Sequence, residues 1–292
     1  MLHAHGPHPI RHRRYTAFGR PCGRVPVTAP PQIHMAQTLH VASARDLLIN
    51  LVHAELTARY KTAVFGLLWF LLNPVVLAAV LVTVFQSLIR LPIERYPIFL
   101  LVALLPWTFF QTGVGNATVA LTRAQALVKR VRIPRMLVPL STILASLVHL
   151  LISLALLLAV LAVMGRLSFG PALLFLPVLV VLELACVVGI GLAVASVNVL
   201  FRDVEHVVAM LLRFGFWLTP IFYPLDYVPE RWRPLMLVNP MVGLLEGFRA
   251  VIVQGTTPPA APLLVSAAIS AACLIGGVVI FRRLDPHLDD YV

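Results

Sequence analysis

LLPWTFFQTGVGNATVALTRAQALVKRVRIPRMLVPLSTILASLVHLLISLALLLAVLAVM, residues 104–164, decides the fold. Two apolar blocks flank a polar segment, 116–135, that carries Arg123, Lys129, Arg130, Arg132 and Arg135 and not one acid. A run of about 20 apolar residues is long enough to cross a bilayer as a helix, and basic residues collect in the loops on the cytoplasmic side. The segment therefore reads as a cytoplasmic loop between two spans, with helix-forming content from Ala117 to Arg132.

Outward from this pair the pattern repeats. Apolar blocks at about 64–89, 97–115, 136–164, 172–200, 204–223 and 260–281 predict six transmembrane helices in an all-α membrane protein. Ahead of them, 41–61 places Leu47, Leu48, Leu51, Val52 and Leu56 on one half of a helical wheel, which predicts an N-terminal amphipathic helix in the interface plane. Glu55 falls on that apolar half and needs a partner or a polar pocket there, or snorkels to the headgroups. Between the last two spans, about 225–259, Asn239-Pro240 opens an apolar stretch too short to cross, so a re-entrant segment is expected. Prolines within spans, Asn73-Pro74 and Leu105-Pro106, predict a kink in the first and a break in the second.

Composition agrees. Of 292 residues 60% are apolar and 12% charged, with a mean hydropathy of +0.91; a soluble domain carries about a quarter charged residues. Residues 35–292 read as one membrane domain. The head, 1–34, rich in His, Arg and Pro, is expected to be disordered or to precede the true start, since Met35 opens a stretch of ordinary character. The net charge of +11 lies in short runs beside apolar blocks, which points to anionic lipid headgroups and not to nucleic acid. Cys22, Cys186 and Cys273 are too far apart for a metal or disulfide framework, so no metal is expected.

Orientation follows from charge. With both termini cytoplasmic, the inner side holds Arg45, Arg59, Lys61, Arg123, Lys129, Arg130, Arg132, Arg135, Arg202, Arg282 and Arg283, eleven in all. The outer side holds Arg90, Arg95, Arg166, Arg231, Arg233 and Arg249, six in all. A multi-pass membrane protein with both termini in the cytoplasm is the expectation. No Gly-Lys pair occurs, so the chain has no phosphate-binding loop of the Walker type and ATP must be handled elsewhere.

The ordered series RYKTAVFGLLWFLLNPVV (59–76), LLPWTFF (104–110), LVKRVRIPRMLVPL (127–140), NVLFRDVEHVV (198–208), WLTPIFYP (217–224) and LVNPMVGLLEGFRAVI (237–252) resembles permease subunits of ABC exporters for lipid-linked polysaccharides, of the Wzm, KpsM and TagG types. Two departures are visible: Thr62-Ala63 stand where small polar or glycine residues are usual, and the 34-residue head has no counterpart. The resemblance implies a homodimer that binds two copies of a separate ABC ATPase and moves an undecaprenyl-diphosphate-linked glycan across the inner membrane. It implies no enzyme activity and no cofactor on this chain, with ATP and Mg on the partner subunit.

Candidate residues follow, each with a plainer alternative. The 116–135 loop, with Arg123, Lys129, Arg130, Arg132 and Arg135, is a candidate coupling element to the ATPase, or an anchor to anionic lipid. Arg59 and Lys61, at the exit of the interfacial helix, are candidates for the substrate diphosphate, since guanidinium forks match phosphate oxygens; snorkelling to lipid headgroups is the alternative. Trp69, Trp107, Phe109 and Phe110 are candidate conduit aromatics or core residues. Tyr223, Trp232, Glu246 and Arg249 form a candidate outer gate or part of an aromatic belt, with Glu246 and Arg249 three apart on one helix face. Glu183 and Arg213 are ionisable at membrane depth and are expected to pair across the fourth and fifth spans or to line the conduit. His149 reads as a core histidine. A small-molecule or drug ABC permease, an ion-coupled secondary transporter and a membrane-embedded enzyme acting on lipid-linked glycans remain the rival readings. The enzyme needs converging catalytic groups that Glu183 alone does not supply.

Overall fold

The computed structural model describes residues 44–60, 68–90, 92–93, 95–125, 134–168 and 170–286, and the described residues are helical throughout their regular structure. The head, 1–34, Lys61 and most of the basic loop, 126–133, lie outside them. Helices α1 (Ala44–Tyr60), α2 (Leu68–Val82), α3 (Tyr96–Arg123), α4 (Leu137–Val163) and α5 (Leu176–Leu200) come first. Then follow α6 (Val204–Leu218), α7 (Arg233–Leu237), α8 (Pro240–Arg249) and α9 (Ala260–Leu284). Two π-helical segments, Thr83–Leu88 and Ala250–Gln254, prolong α2 and α8.

Four described helical segments are long and apolar enough to cross a membrane: α3, α4, α9, and α5 with the 3-10 turn that begins it at Pro171. A fifth crossing is formed only if the pair 230–237 and 240–254, bent by 103°, counts as one span. The expected six is therefore reached in part. The first predicted span contains a shorter apolar helix, Leu72–Gln86. The fifth predicted span stops early: α6 is 15 residues long and gives way at Thr219 to extended backbone. Pro220 explains the stop, because a proline ring disfavours helix in the residue before it.

The break expected at Leu105-Pro106 is absent. Helix α3 runs unbroken through Pro106, since proline's fixed φ is itself helical and the cost lies in one lost N–H and a crowded carbonyl. That cost is met by packing: Val102 to Trp107 are all buried, and Thr108 and Thr112 return hydroxyl bonds to Leu104 and Thr108 carbonyls at 2.6 and 2.7 Å. Helix α2 likewise continues past a buried Pro74.

Helix α3 is the centre of the bundle, in contact with α2, α4, α5, α6 and α8, while α5 lies between α3 and α9. The α5–α9 contact is a backbone contact. A Cβ at Gly189 would collide with the Cys273 carbonyl, and one at Gly277 with the Gly189 carbonyl. Small residues that let helix backbones touch are how membrane helices gain packing where lipid offers no hydrophobic drive. Gly243 on α8 does the same against Pro262 at the start of α9.

One end of the bundle is basic. Ala120, Leu121, Val138, Leu192, Val199 and Phe281 form a shared cluster there, which brings the end of α3, the start of α4, the end of α5 and the foot of α9 together. Arg123, Arg135, Arg202, Arg282 and Arg283 stand on this end. Arg135 Nη1 donates to the Asp285 carbonyl at 2.9 Å and lies 3.7 Å from its carboxylate. Helix α1 packs on α4, and its half-buried positions include Leu47, Leu48, Leu51, Val52 and Leu56. Glu55 shares that face and is engaged there.

Candidate functional site

At the end of α6 the chain runs Thr219-Pro220-Ile221-Phe222-Tyr223-Pro224 without regular structure, and backbone groups freed inside a membrane domain must find partners in protein or water. Here they find them. Arg249 Nη2 donates to the Ile221 carbonyl at 2.6 Å, and Tyr96 Oη donates to the Phe222 carbonyl at 2.8 Å. Asn239 Nδ2 donates to Thr219 Oγ1 at 2.8 Å, and Thr219 donates on to the Gly215 carbonyl at 2.7 Å. The same Asn239 caps α8, its Oδ1 accepting from the Met241 N–H at 3.0 Å. Asn239-Pro240 thus starts one helix and ties down the end of another.

Arg249 is 1% exposed and also meets Glu246 Oε1 at 2.8 Å and the face of Phe99, 3.7 Å from guanidinium carbon to ring centroid, while its Nε is buried with no hydrogen-bond partner among the described residues. The spacing of three that puts both residues on one face is borne out as an ion pair. Within the four residues grouped as an outer gate, Arg249 is enclosed, Tyr223 and Glu246 are partly buried, and Trp232 is exposed under Arg231.

Aromatic side chains gather beside this loop. Trp107 lies 5.4 Å from Phe110 and 6.1 Å from Phe216, ring centre to ring centre. Phe222 meets Phe85, Trp217 and Tyr223 at 4.9, 5.5 and 4.9 Å. Tilted and edge-on pairs dominate, as ring quadrupoles favour. A mostly apolar cavity of about 250 Å³ opens against Trp107, Phe110, Gly215 and Asn239. Of the four aromatics singled out in the sequence, Trp107 and Phe109 are buried and Phe110 is partly exposed. The Trp69 side chain lies outside the described residues. Phe216, which bridges Trp107 to Trp217 and Phe222, and Phe85, which stacks on Phe222, carry no signal in the sequence beyond being apolar.

The expected pairing of Glu183 with Arg213 does not occur. Glu183 is fully buried, and neither carboxyl oxygen has a partner among the described residues, whereas Arg213 is exposed on α6. Helix periodicity is the reason: Glu183 shares its inward face of α5 with Val180, Cys186 and Val187, while the inward positions of α6 are Val208 and Leu212, which turns Arg213 outward. The hydroxyls of Ser266 and Ser270 on α9 are also buried without partners among the described residues.

Of the basic candidates, Arg123 ends α3 and Arg135 binds the foot of α9, while Lys129, Arg130 and Arg132 lie outside the described residues. Arg59 falls in the last turn of α1, its side chain not described, and Lys61 is beyond it. Arg123 and Arg213, read separately in the sequence, line the same cleft between α3 and α6. No group of His, Cys, Asp and Glu able to hold a metal occurs among the described residues.

Comparison with known proteins adds what geometry cannot. Residues 46–253 match the sequence family described as ABC-2 type transporter, through its membrane domain. The O-antigen export system permease protein RfbA of Myxococcus xanthus is 37% identical over 240 residues, 82% of this chain and 92% of that protein. A protein of the same name from Klebsiella pneumoniae is 29% identical over 72% of this chain and 81% of its own length. The polysialic acid transport protein KpsM of Escherichia coli is 26% identical over 78% and 89%.

Proposed function

This chain belongs to the ABC-2 type transporter family, and from that premise we propose that it is the membrane-spanning subunit of an ATP-driven polysaccharide exporter. The observation that carries the reading is likeness, over nearly the whole membrane domain, to permeases named for O-antigen export and polysialic acid transport. Family membership implies an ABC ATPase as partner, and that subunit would hold ATP and Mg. Two further statements belong to the proposal: the permease works as a homodimer with two ATPase copies, and the cargo is an undecaprenyl-diphosphate-linked glycan.

The basic end of the bundle supports an orientation with both termini in the cytoplasm of a bacterial cell, because positively charged loops are retained there. In that orientation residues 116–135 face the ATPase and convey its movement to α3 and α4. The clamped loop and the aromatics around Phe222 then lie toward the outer half of the bundle, where faces that stack without fixing register suit a sliding sugar chain.

The test is deletion of the chromosomal copy. Undecaprenyl-linked glycan should accumulate inside the cell while surface polysaccharide disappears, and both should recover when the permease and its ATPase are supplied together. Normal surface polysaccharide in the deletion strain would overturn the proposal.

A further inference from the structure

The cleft between α3 and α6 has a chemistry unlike the rest of the bundle. It encloses about 430 Å³ and is lined by Gln111, Asn116 and Arg123 on α3 and by Glu205, His206 and Arg213 on α6. A second hollow of about 400 Å³ shares Arg123 and Glu205 with it and adds Thr122, Asn198 and Arg202. The two form one polar channel along α6, from the basic end at Arg202 to Arg213. At 1.5 Å per helical residue, Gln111 and Arg123 are about 18 Å apart along α3.

Three arginines against one glutamate leave the channel with a charge of about +2 when His206 is neutral. None of the three has an ion-pair partner among the described residues, and the one acid, Glu205, lies 3.8 Å from His206 Nε2. Arg213 sits nine residues into α6, about 14 Å from the start of the helix. A guanidinium at that depth is costly against lipid and is kept where it meets water or a polar ligand.

A second observation marks the lower end. Asn198 is 1% exposed; its Oδ1 accepts from the Glu205 N–H at 3.0 Å and so caps α6, while its Nδ2 is buried with no hydrogen-bond partner among the described residues. The amide spends its oxygen on the helix start, and its nitrogen is enclosed behind the wall of this hollow. The first four N–H groups of α6 are each hydrogen-bonded, so the helix start contributes its dipole and no free donors. Donors and guanidinium forks without an acceptor of their own are what phosphate oxygens bind, bidentately where arginine supplies them.

We propose that the α3–α6 cleft is the entry site for the diphosphate headgroup of the lipid-linked substrate, with Arg123 and Arg202 at its mouth and Arg213 at its inner end. This rests on the export reading given above. It moves headgroup recognition away from the Arg59 and Lys61 candidates, and the opening of the cleft lets the isoprenoid chain stay in lipid while the headgroup leaves it.

The test uses the full chain purified with its ATPase in phosphatidylcholine nanodiscs, titrated with a fluorescent undecaprenyl diphosphate. Arg123→Gln, Arg202→Gln and Arg213→Gln should each weaken binding about ten-fold, with Arg→Lys variants retaining an intermediate affinity. Arg166→Gln and Arg283→Gln, which remove the same charge elsewhere, should bind like the unaltered protein. Inorganic pyrophosphate should compete and phosphatidylglycerol should not.

Equal weakening in the two control variants, or equal competition by phosphatidylglycerol, would mean general attraction to anionic headgroups and would overturn the proposal. So would unaltered affinity in all three cleft variants. Elution volume and melting of each complex identify a variant that fails to fold, in which case the lysine series carries the comparison. If the deletion strain exports normally, the export reading itself fails; if export is confirmed and the cleft variants bind normally, only the cleft assignment fails.

Discussion

Arg249 spans from α8 to the loop that ends α6, its Nη2 2.6 Å from the Ile221 carbonyl. One residue later Tyr96 takes the Phe222 carbonyl, so α3 and α8 hold consecutive peptide groups of the same irregular segment. Neither bond is local in sequence. The loop is therefore held by the two helices that flank it as well as by its own tight turn, in which the Ile221 N–H donates to the Thr219 carbonyl at 2.7 Å.

Removing that hold should be expensive. Arg249→Met leaves Glu246 without its partner and the Ile221 carbonyl without a donor, a loss on the order of 3 kcal/mol for breaking a buried pair. Tyr96→Phe deletes one neutral bond and should cost about 1 kcal/mol. Because both residues restrain one segment, the double variant should lose less than the sum. Melting of the purified complex measures all three, and strict additivity would show that the two bonds act independently.

Adjacent glycines on α9 should respond in opposite directions. A Cβ at Gly277 meets the Gly189 backbone, so Gly277→Ala must spread α5 from α9, at roughly 3 kcal/mol for an overpacked contact. A Cβ at Gly276 meets nothing within 4 Å, and Gly276→Ala should gain up to about 1 kcal/mol of helix propensity. Expression level and melting temperature of the pair distinguish them.

Glu183 and Arg213 should behave as strangers. With the carboxylate enclosed on α5 and the guanidinium exposed on α6, the stability effects of Glu183→Gln and Arg213→Gln should add to within about 0.5 kcal/mol. A double-mutant cycle in melting free energy checks this, and a coupling well above that value would restore the ion pair expected from the sequence.

The basic loop should divide into two kinds of residue. Lys129→Glu with Arg130→Glu should lower export while ATP hydrolysis and melting are kept, as expected of an element that passes on movement. Arg135→Glu should in addition destabilise the protein by roughly 1 kcal/mol, since Arg135 is bonded to Asp285. ATPase rate, export and melting measured side by side separate the two effects.

Long apolar runs made α3, α4, α5 and α9 legible, because each buries or exposes enough hydrocarbon that no other element suits it. The α8 start was legible for a local reason: Asn239 caps a helix whose first residue is a proline. What the sequence left open depends on which side of a helix a residue faces. Glu183 and Arg213 both fall within apolar runs by counting along the chain, yet one points into the protein and the other away. The early stop of α6 was signalled by Thr219-Pro220, although the apolar run continued past it. The α3–α6 cleft was invisible, since its polar lining is shared between elements separated by more than 70 residues, from Arg123 to Arg202.

The backbone contact between Gly189 and α9 welds two long helices into a single beam, and Arg135 pins the foot of that beam to the first turn of α4. The thinly seated helices are α2, with its outward Leu72, Val76 and Val80, and α6, with Val208 and Leu212 enclosed among its described residues, so displacing either uncovers less apolar surface than parting the two members of that beam.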